Sequence, residues 1–289
     1  MDFSSLGISP SLLQALADQN YTQPYPIQKE VIPAILNGKD VLGIAQTGSG
    51  KTAGYVLPIL MNLRANTASK NRHVNVLVLV PTRELAMQVR EVFRLFGSAL
   101  PERIKSLAVF GGVAINPQMK ALQGVNILVA TPGRLLELVE SNAVKLSNIE
   151  TLVLDEADKM LNLGFKEEMN RIFALLPKKR QNLLFSATLN EDVTNINQIL
   201  LRDPLVVKIE PESDNIDLIS QLAYFVPEEK KGQLLRYLIK HKNLKQVLVF
   251  TSSTYKADNV ADKLRNNGID AKAIHSKKSQ KARTEALSK

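Results

Sequence analysis

A chain of 289 residues with 45% hydrophobic content can bury one large core or two ordinary ones, and its apolar residues fall in short runs that exclude a transmembrane helix. The absence of cysteine excludes a disulfide framework, and "MDFSSLGISPSLLQ" lacks the basic head and apolar stretch of a secretory signal, so a cytoplasmic place is expected. Lys and Arg outnumber Asp and Glu by 37 to 28, a net charge of +9 that suits a polyanionic partner such as nucleic acid or else a plain solvated basic surface; residues 1–210 carry +3 of it and residues 211–289 carry +6.

In chain order, β-branched and apolar runs predict strands at Val41–Ala45, Val76–Val80, Leu107–Phe110, Ile127–Ala130, Thr151–Asp155, Leu183–Ser186 and Leu205–Lys208. Helix-patterned segments separate them, and most strands read as continuously apolar. Both features predict an α/β fold with a parallel sheet covered on two faces. The polar stretch "IEPESDNIDLIS", with Pro211, predicts a linker over 209–220. A second α/β series follows over 221–289: strand Leu222–Val226, helix Lys230–His241, strand Gln246–Phe250, helix Tyr255–Asn266 and a strand near Ala271–Ile274. That is too few elements for an independent parallel-sheet domain, so the chain is expected to be a truncated piece of a longer protein.

Two motifs carry chemistry. The strand "VLGIA" runs through Gln46, Thr47, Gly48, Ser49, Gly50, Lys51 and Thr52 into an apolar helix start. Glycines let backbone N–H groups wrap phosphates, a lysine reaches the β and γ phosphates, and a threonine hydroxyl can ligate Mg²⁺. Ala45 stands where this pattern usually begins with glycine. Downstream, "TLVLDEAD" ends a strand in carboxylates at the edge where open parallel sheets bind ligands. Asp155 suits Mg²⁺ and Glu156 suits an attacking water; acids that merely cap a helix are the plainer alternative. Together the two motifs imply Mg²⁺-dependent binding of a nucleoside triphosphate, and its hydrolysis.

With "YTQPYPIQ", "AQTGSGKT", "PTRELA", "TPGR", "DEAD" and "SAT" in this order, the chain resembles the DEAD-box family of ATP-dependent RNA helicases over essentially its whole length. The resemblance implies two recombinase-like α/β domains, here a Q-motif region over 1–30, an ATP-binding domain over 31–208 and a partial C-terminal domain over 221–289. ATP and Mg²⁺ would be the cofactors and RNA the partner, bound without sequence preference, with short duplexes opened locally. No membrane partner is expected.

It further implies that Gln28 reads the adenine edge, that Tyr21 stacks on the base beside Gln23 and Pro24, and that Phe3 is a packing support; Tyr25 reads as ordinary packing. Asn20 takes a position where glycine is usual, which an asparagine tolerates at positive φ. Ser186 and Thr188 would link nucleotide state to unwinding through the acidic cluster, or cap the next helix. RNA contacts would come from Pro81, Thr82 and Arg83, from Gly111 and Gly112, and from Thr131, Pro132, Gly133 and Arg134; surface ion pairing is the alternative for both arginines. In the second domain Phe250, Thr251, Ser252, Gln280 and Arg283 match family motifs, with Ser276 after His275 where glycine is usual.

The family's later motif, which brings arginines to the γ-phosphate, is expected beyond "LSK". Lys277, Lys278 and Lys281 lack the guanidinium fork that would replace it. ATP hydrolysis by the chain is therefore expected to be slow. The alternatives are a non-catalytic, ATP-switched RNA-binding or regulatory fragment and, less favoured by Gln28 with "DEAD", a DNA-directed motor.

Overall fold

The computed structural model of the chain describes residues 2–63, 74–210 and 220–287. It divides into two compact units, Met1–Glu212 and Ser213–Lys289.

The first unit is built on seven parallel strands: β1 (Val41–Ile44), β2 (Val76–Leu79), β3 (Ser106–Val109), β4 (Ile127–Ala130), β5 (Thr151–Leu154), β6 (Gln181–Ser186) and β7 (Leu205–Lys208). Their order across the sheet is β3-β4-β2-β5-β6-β1-β7. In register, Val41 faces Leu183 on one side and Leu205 on the other, and Val76 faces Ile127 and Thr151. All seven expected strands are present, with ends shifted by two residues at most.

Side chains alternate along each strand, so the two faces carry two cores. Val41, Val76, Val78, Val153 and Phe185 join a cluster that includes buried residues of α1 (Pro10–Asp18), α2 (Pro26–Leu36), α3 (Lys51–Asn62) and α4 (Arg83–Gly97). Leu42, Leu77, Leu79, Leu152 and Leu184 join the opposite cluster. Beyond α5 (Ile115–Ala121), that face receives α6 (Pro132–Glu140), α7 (Ala157–Asn162), α8 (Lys166–Leu175) and α9 (Glu191–Leu200). Phe3, in the short 3₁₀ turn Phe3–Leu6, is buried in the first cluster.

Helix starts are set locally. The Thr82 side chain accepts from Leu85 N at 3.2 Å to open α4, and Asn190 Oδ1 accepts from Val193 N at 2.9 Å to open α9. Asp40 fastens the sheet edge opposite the ligand end: its Oδ1 accepts from Asn182 N at 2.7 Å, and its Oδ2 accepts from Asn182 Nδ2 at 3.1 Å and Arg202 N at 2.9 Å.

The second unit contains the 3₁₀ turn Glu228–Lys230, α10 (Lys231–His241), α11 (Thr254–Arg265) and α12 (Gln280–Leu287). Both expected helices form within a residue of their predicted ends. The three expected strands do not: 222–226, 246–250 and 271–274 carry no ladder among the described residues. Leu222, Leu248 and Phe250 are exposed instead. Strand ladders hold only when neighbouring strands and covering helices bury enough apolar surface to offset the ordering of the backbone, and three short segments left this exposed do not supply it. The linker expected over 209–220 lies almost wholly outside the described residues. Among the described residues no helix is long and apolar enough to cross a membrane.

Candidate nucleotide and nucleic-acid site

The loops that follow the C-terminal ends of β1 to β6 reach the same edge of the parallel sheet, so motifs far apart in sequence gather there. After β1 the chain turns through Ala45–Gly50, with Gly48 at φ 87° and Gly50 at φ 84°. Both values lie in the left-handed region, where only glycine is unstrained. Gly50 is the residue before α3, so the helix N-terminus and the loop amides point at one place. A cleft of about 490 Å³ opens there, lined by Thr47, Gly48, Gly50, Lys51 and Thr52 from the loop, by Asp155 and Glu156, and by Asn20, Tyr21, Gln23 and Tyr25.

Lys51 is largely buried, and its Nζ donates to the Ala45 carbonyl. Burial lowers its pKa, and the nearby Asp155 carboxylate opposes that shift. Asp155, 2% exposed, accepts from the Tyr55 hydroxyl at 2.8 Å. Burial raises its pKa, against the Tyr55 hydrogen bond and the Lys51 charge, which lower it. Glu156 stands just before α7 at φ 55° and pairs with Lys159 at 2.8 Å. Ser186 is fully buried at the end of β6, and Thr188 donates to Asp158 Oδ2 at 3.1 Å, so the "SAT" segment reaches the acidic cluster while Asn190 caps α9.

The Gln28 side chain is fully buried: its Nε2 donates to Gly50 O at 2.8 Å and its Oε1 accepts from Tyr25 N at 3.0 Å. The glutamine thus ties the start of α2 to the phosphate loop. Tyr21 meets Phe96 edge-on at 5.9 Å and still lines the cleft. Tyr25, read from sequence as packing, is 50% exposed and also lines the cleft. Asn20 sits at φ 59°, the left-handed turn expected at a position where glycine is usual.

Along the same edge, the ends of the adjacent strands β3, β4 and β2 carry a second group. Pro81 leads into the Thr82 cap and Arg83, and Thr131 and Pro132 open α6, followed by Gly133 and Arg134. Gly111 and Gly112 follow β3, with Gly112 at φ 75°, and a β-carbon there would lie 2.4 Å from the Arg83 guanidinium. Arg134 is 6% exposed; its Nη2 donates to Val113 O at 2.9 Å and its Nε to Glu137 Oε2 at 2.8 Å. It braces the glycine turn, and its ion pair with Glu137 is made by a buried guanidinium rather than at the surface. In the second unit Thr251 Oγ1 donates to Ser253 O at 3.1 Å, Phe250 and Ser252 flank it just before α11, and Gln280 and Arg283 sit on α12.

Sequence reading missed Tyr55, Asp158 and the cleft wall of Leu85, Gln88 and Val92. Tyr55 lies one turn after Lys51 on α3, so the helical spacing of four was its only advance signal.

Residues 25–196 match the model of the DEAD/DEAH box helicase family, and residues 229–289 match that of the helicase conserved C-terminal domain. The chain is 40% identical over 286 residues to the ATP-dependent RNA helicase DeaD of Buchnera aphidicola subsp. Acyrthosiphon pisum, covering 99% of this chain and 47% of that protein. It is 38% identical to the DEAD-box ATP-dependent RNA helicase CshA of Streptococcus pneumoniae, covering 99% and 54%. The chain therefore spans about half the length of these curated relatives. A crystal structure of a DEAD box protein from the hyperthermophile Methanococcus jannaschii superposes with a TM-score of 0.68 at 33% identity, over 100% of this chain and 76% of that one. With the phosphate loop, the "DEAD" carboxylates and the glutamine motif converging on one cleft, the chain belongs to the DEAD/DEAH box helicase family.

Proposed function

We propose that the chain binds ATP with Mg²⁺ in the cleft of its first unit, and that RNA laid along the adjacent strand ends stimulates hydrolysis, as in an ATP-dependent RNA helicase. The observation that carries this reading is the convergence of the Thr47–Thr52 loop, Asp155 and Glu156, and Tyr21, Gln23 and Tyr25 on one cleft. Lys51 and the loop amides would hold phosphate. Tyr21 would stack on the base and Gln28 would select adenine, exchanging its hydrogen bonds within the turn.

The donor set fits Mg²⁺. Thr52 and Asp155 both line the cleft and offer two hard oxygens, and Mg²⁺ ordinarily takes one or two protein oxygens and completes its octahedron with phosphates and water. When bound it would neutralise charge on the transferring phosphate. Glu156 would orient the attacking water, exchanging its ion pair with Lys159 for that role, and Ser186 and Thr188 would carry the state of the site toward the RNA edge.

Phosphates of RNA would meet the N-termini of α4 and α6, the Gly111–Gly112 turn and Arg83, giving contacts that position without reading bases. Arg134 would act there by holding the turn. The 2′-hydroxyls would distinguish RNA from DNA. Thr251, Ser252, Gln280 and Arg283 would add contacts from the second unit. Such an activity belongs in the cytoplasm, where ATP and RNA meet.

Steady-state ATP hydrolysis, with and without single-stranded RNA and with Lys51→Ala as blank, tests the reading. Turnover above the blank that rises with RNA is expected. One observation, the unpaired strand segments of the second unit, favours the alternative of an ATP-switched RNA-binding piece without turnover. ATP binding with hydrolysis at the level of the blank would establish that alternative instead.

A further inference from the structure

Tyr55 is fully buried on α3, with its ring 6.4 Å from that of Phe93 and 5.3 Å from that of Phe185. A phenylalanine would fill the same space, so packing does not explain the hydroxyl. That hydroxyl lies 2.8 Å from Asp155 Oδ2, and because an ionised carboxylate only accepts, Tyr55 is the donor. Thr52, the other residue assigned above to the cation, lies three residues before Tyr55 on the same side of α3. The buried hydroxyl thus touches a carboxylate assigned above to the cation.

We propose that Tyr55 is a positioning residue for the cation site: its hydroxyl fixes the Asp155 carboxylate through Oδ2, so that ligand is in place before metal and nucleotide arrive. The inference rests on the Mg²⁺ site of the proposed function. Hydrogen-bond partners behind metal ligands set ligand orientation, and removing one typically weakens metal affinity roughly 10- to 100-fold.

The test is ADP binding to the whole chain by calorimetry, in EDTA and across a Mg²⁺ titration, for wild type, Tyr55→Phe and Phe93→Leu. Tyr55→Phe keeps the ring between its aromatic neighbours, and a melting curve in EDTA verifies the fold. Its affinity for ADP in EDTA is expected to equal that of wild type, while the Mg²⁺ needed for the same gain in affinity rises roughly 10- to 100-fold. Phe93→Leu, which loosens the same packing and leaves the hydroxyl, is expected to keep the wild-type Mg²⁺ dependence. An unchanged Mg²⁺ dependence in Tyr55→Phe, or an equal shift in Phe93→Leu, overturns the inference and leaves the cation site standing. A wild type whose ADP affinity ignores Mg²⁺ overturns the site itself.

Discussion

Gly48 and Gly50 have nearly the same backbone angle, φ +87° and +84°, yet a methyl group added to each meets different surroundings. At Gly48 nothing lies within 4 Å of the added carbon. The cost of Gly48→Ala is then the left-handed backbone alone, about 1–2 kcal/mol. At Gly50 the carbon would lie 2.5 Å from Gln28 Nε2 and 2.8 Å from Tyr25 Cδ2. Gln28 must move, and with it go the 2.8 Å bond to Gly50 O and the 3.0 Å bond from Tyr25 N. Net hydrogen bonds are worth about 1 kcal/mol each, and a buried amide left without partners costs about 1–3 kcal/mol. Gly50→Ala should therefore cost about 2–3 kcal/mol more than Gly48→Ala, which for a unit of this size is about 4–12 °C in melting temperature. Thermal unfolding followed by circular dichroism reads the difference. Gln28→Ala combined with Gly50→Ala should lose clearly less than the sum of the two single changes, because the hydrogen bonds that Gly50→Ala breaks are the ones Gln28→Ala has already removed. Two glycine variants that melt together, or a double variant whose loss is the plain sum, would refute the role assigned to Gln28.

Other consequences follow from the same geometry. Asp40→Ala strands the Asn182 and Arg202 backbone donors at the edge of β6 and β7, and chemical denaturation should show a loss of about 3 kcal/mol, with Asp40→Asn losing less. Gly112→Ala would displace the Arg83 guanidinium from its place 2.4 Å from the new carbon, so filter binding should show weaker RNA binding with ATP binding unchanged. In the second unit, hydrogen bonds from Lys278 and His275 hold the Asp258 pKa below the ordinary aspartate value. The stabilisation they give is present above the ordinary aspartate range and is lost as pH falls through the lowered value. Lys278→Met should move the Asp258 carboxyl titration, followed by NMR, back toward the ordinary range.

The first unit was legible because most of its strands are apolar on both faces: "VNVLVLV" and the "LVLD" that ends "IETLVLD" are buried throughout, and each forms a strand near its predicted place. The cleft was legible as well, since motif order places its residues at the C-terminal ends of parallel strands. Its wiring was not. Tyr55 and Asp155 are 100 residues apart, and no local pattern pairs a tyrosine with a distant carboxylate. The burial of Arg134 also escaped, because an arginine at a helix start reads as exposed until its neighbours Val113 and Glu137 are known. The second unit shows the opposite error: "QVLVF" has strand composition, but composition does not supply the neighbouring strands that make a ladder.

The most direct measurement is an equilibrium titration of the chain with ATP in the presence of Mg²⁺, wild type against Lys51→Ala. Saturable binding by wild type that is lost in Lys51→Ala is the predicted result. No binding by wild type, or equal binding by both, would contradict the assignment of the cleft.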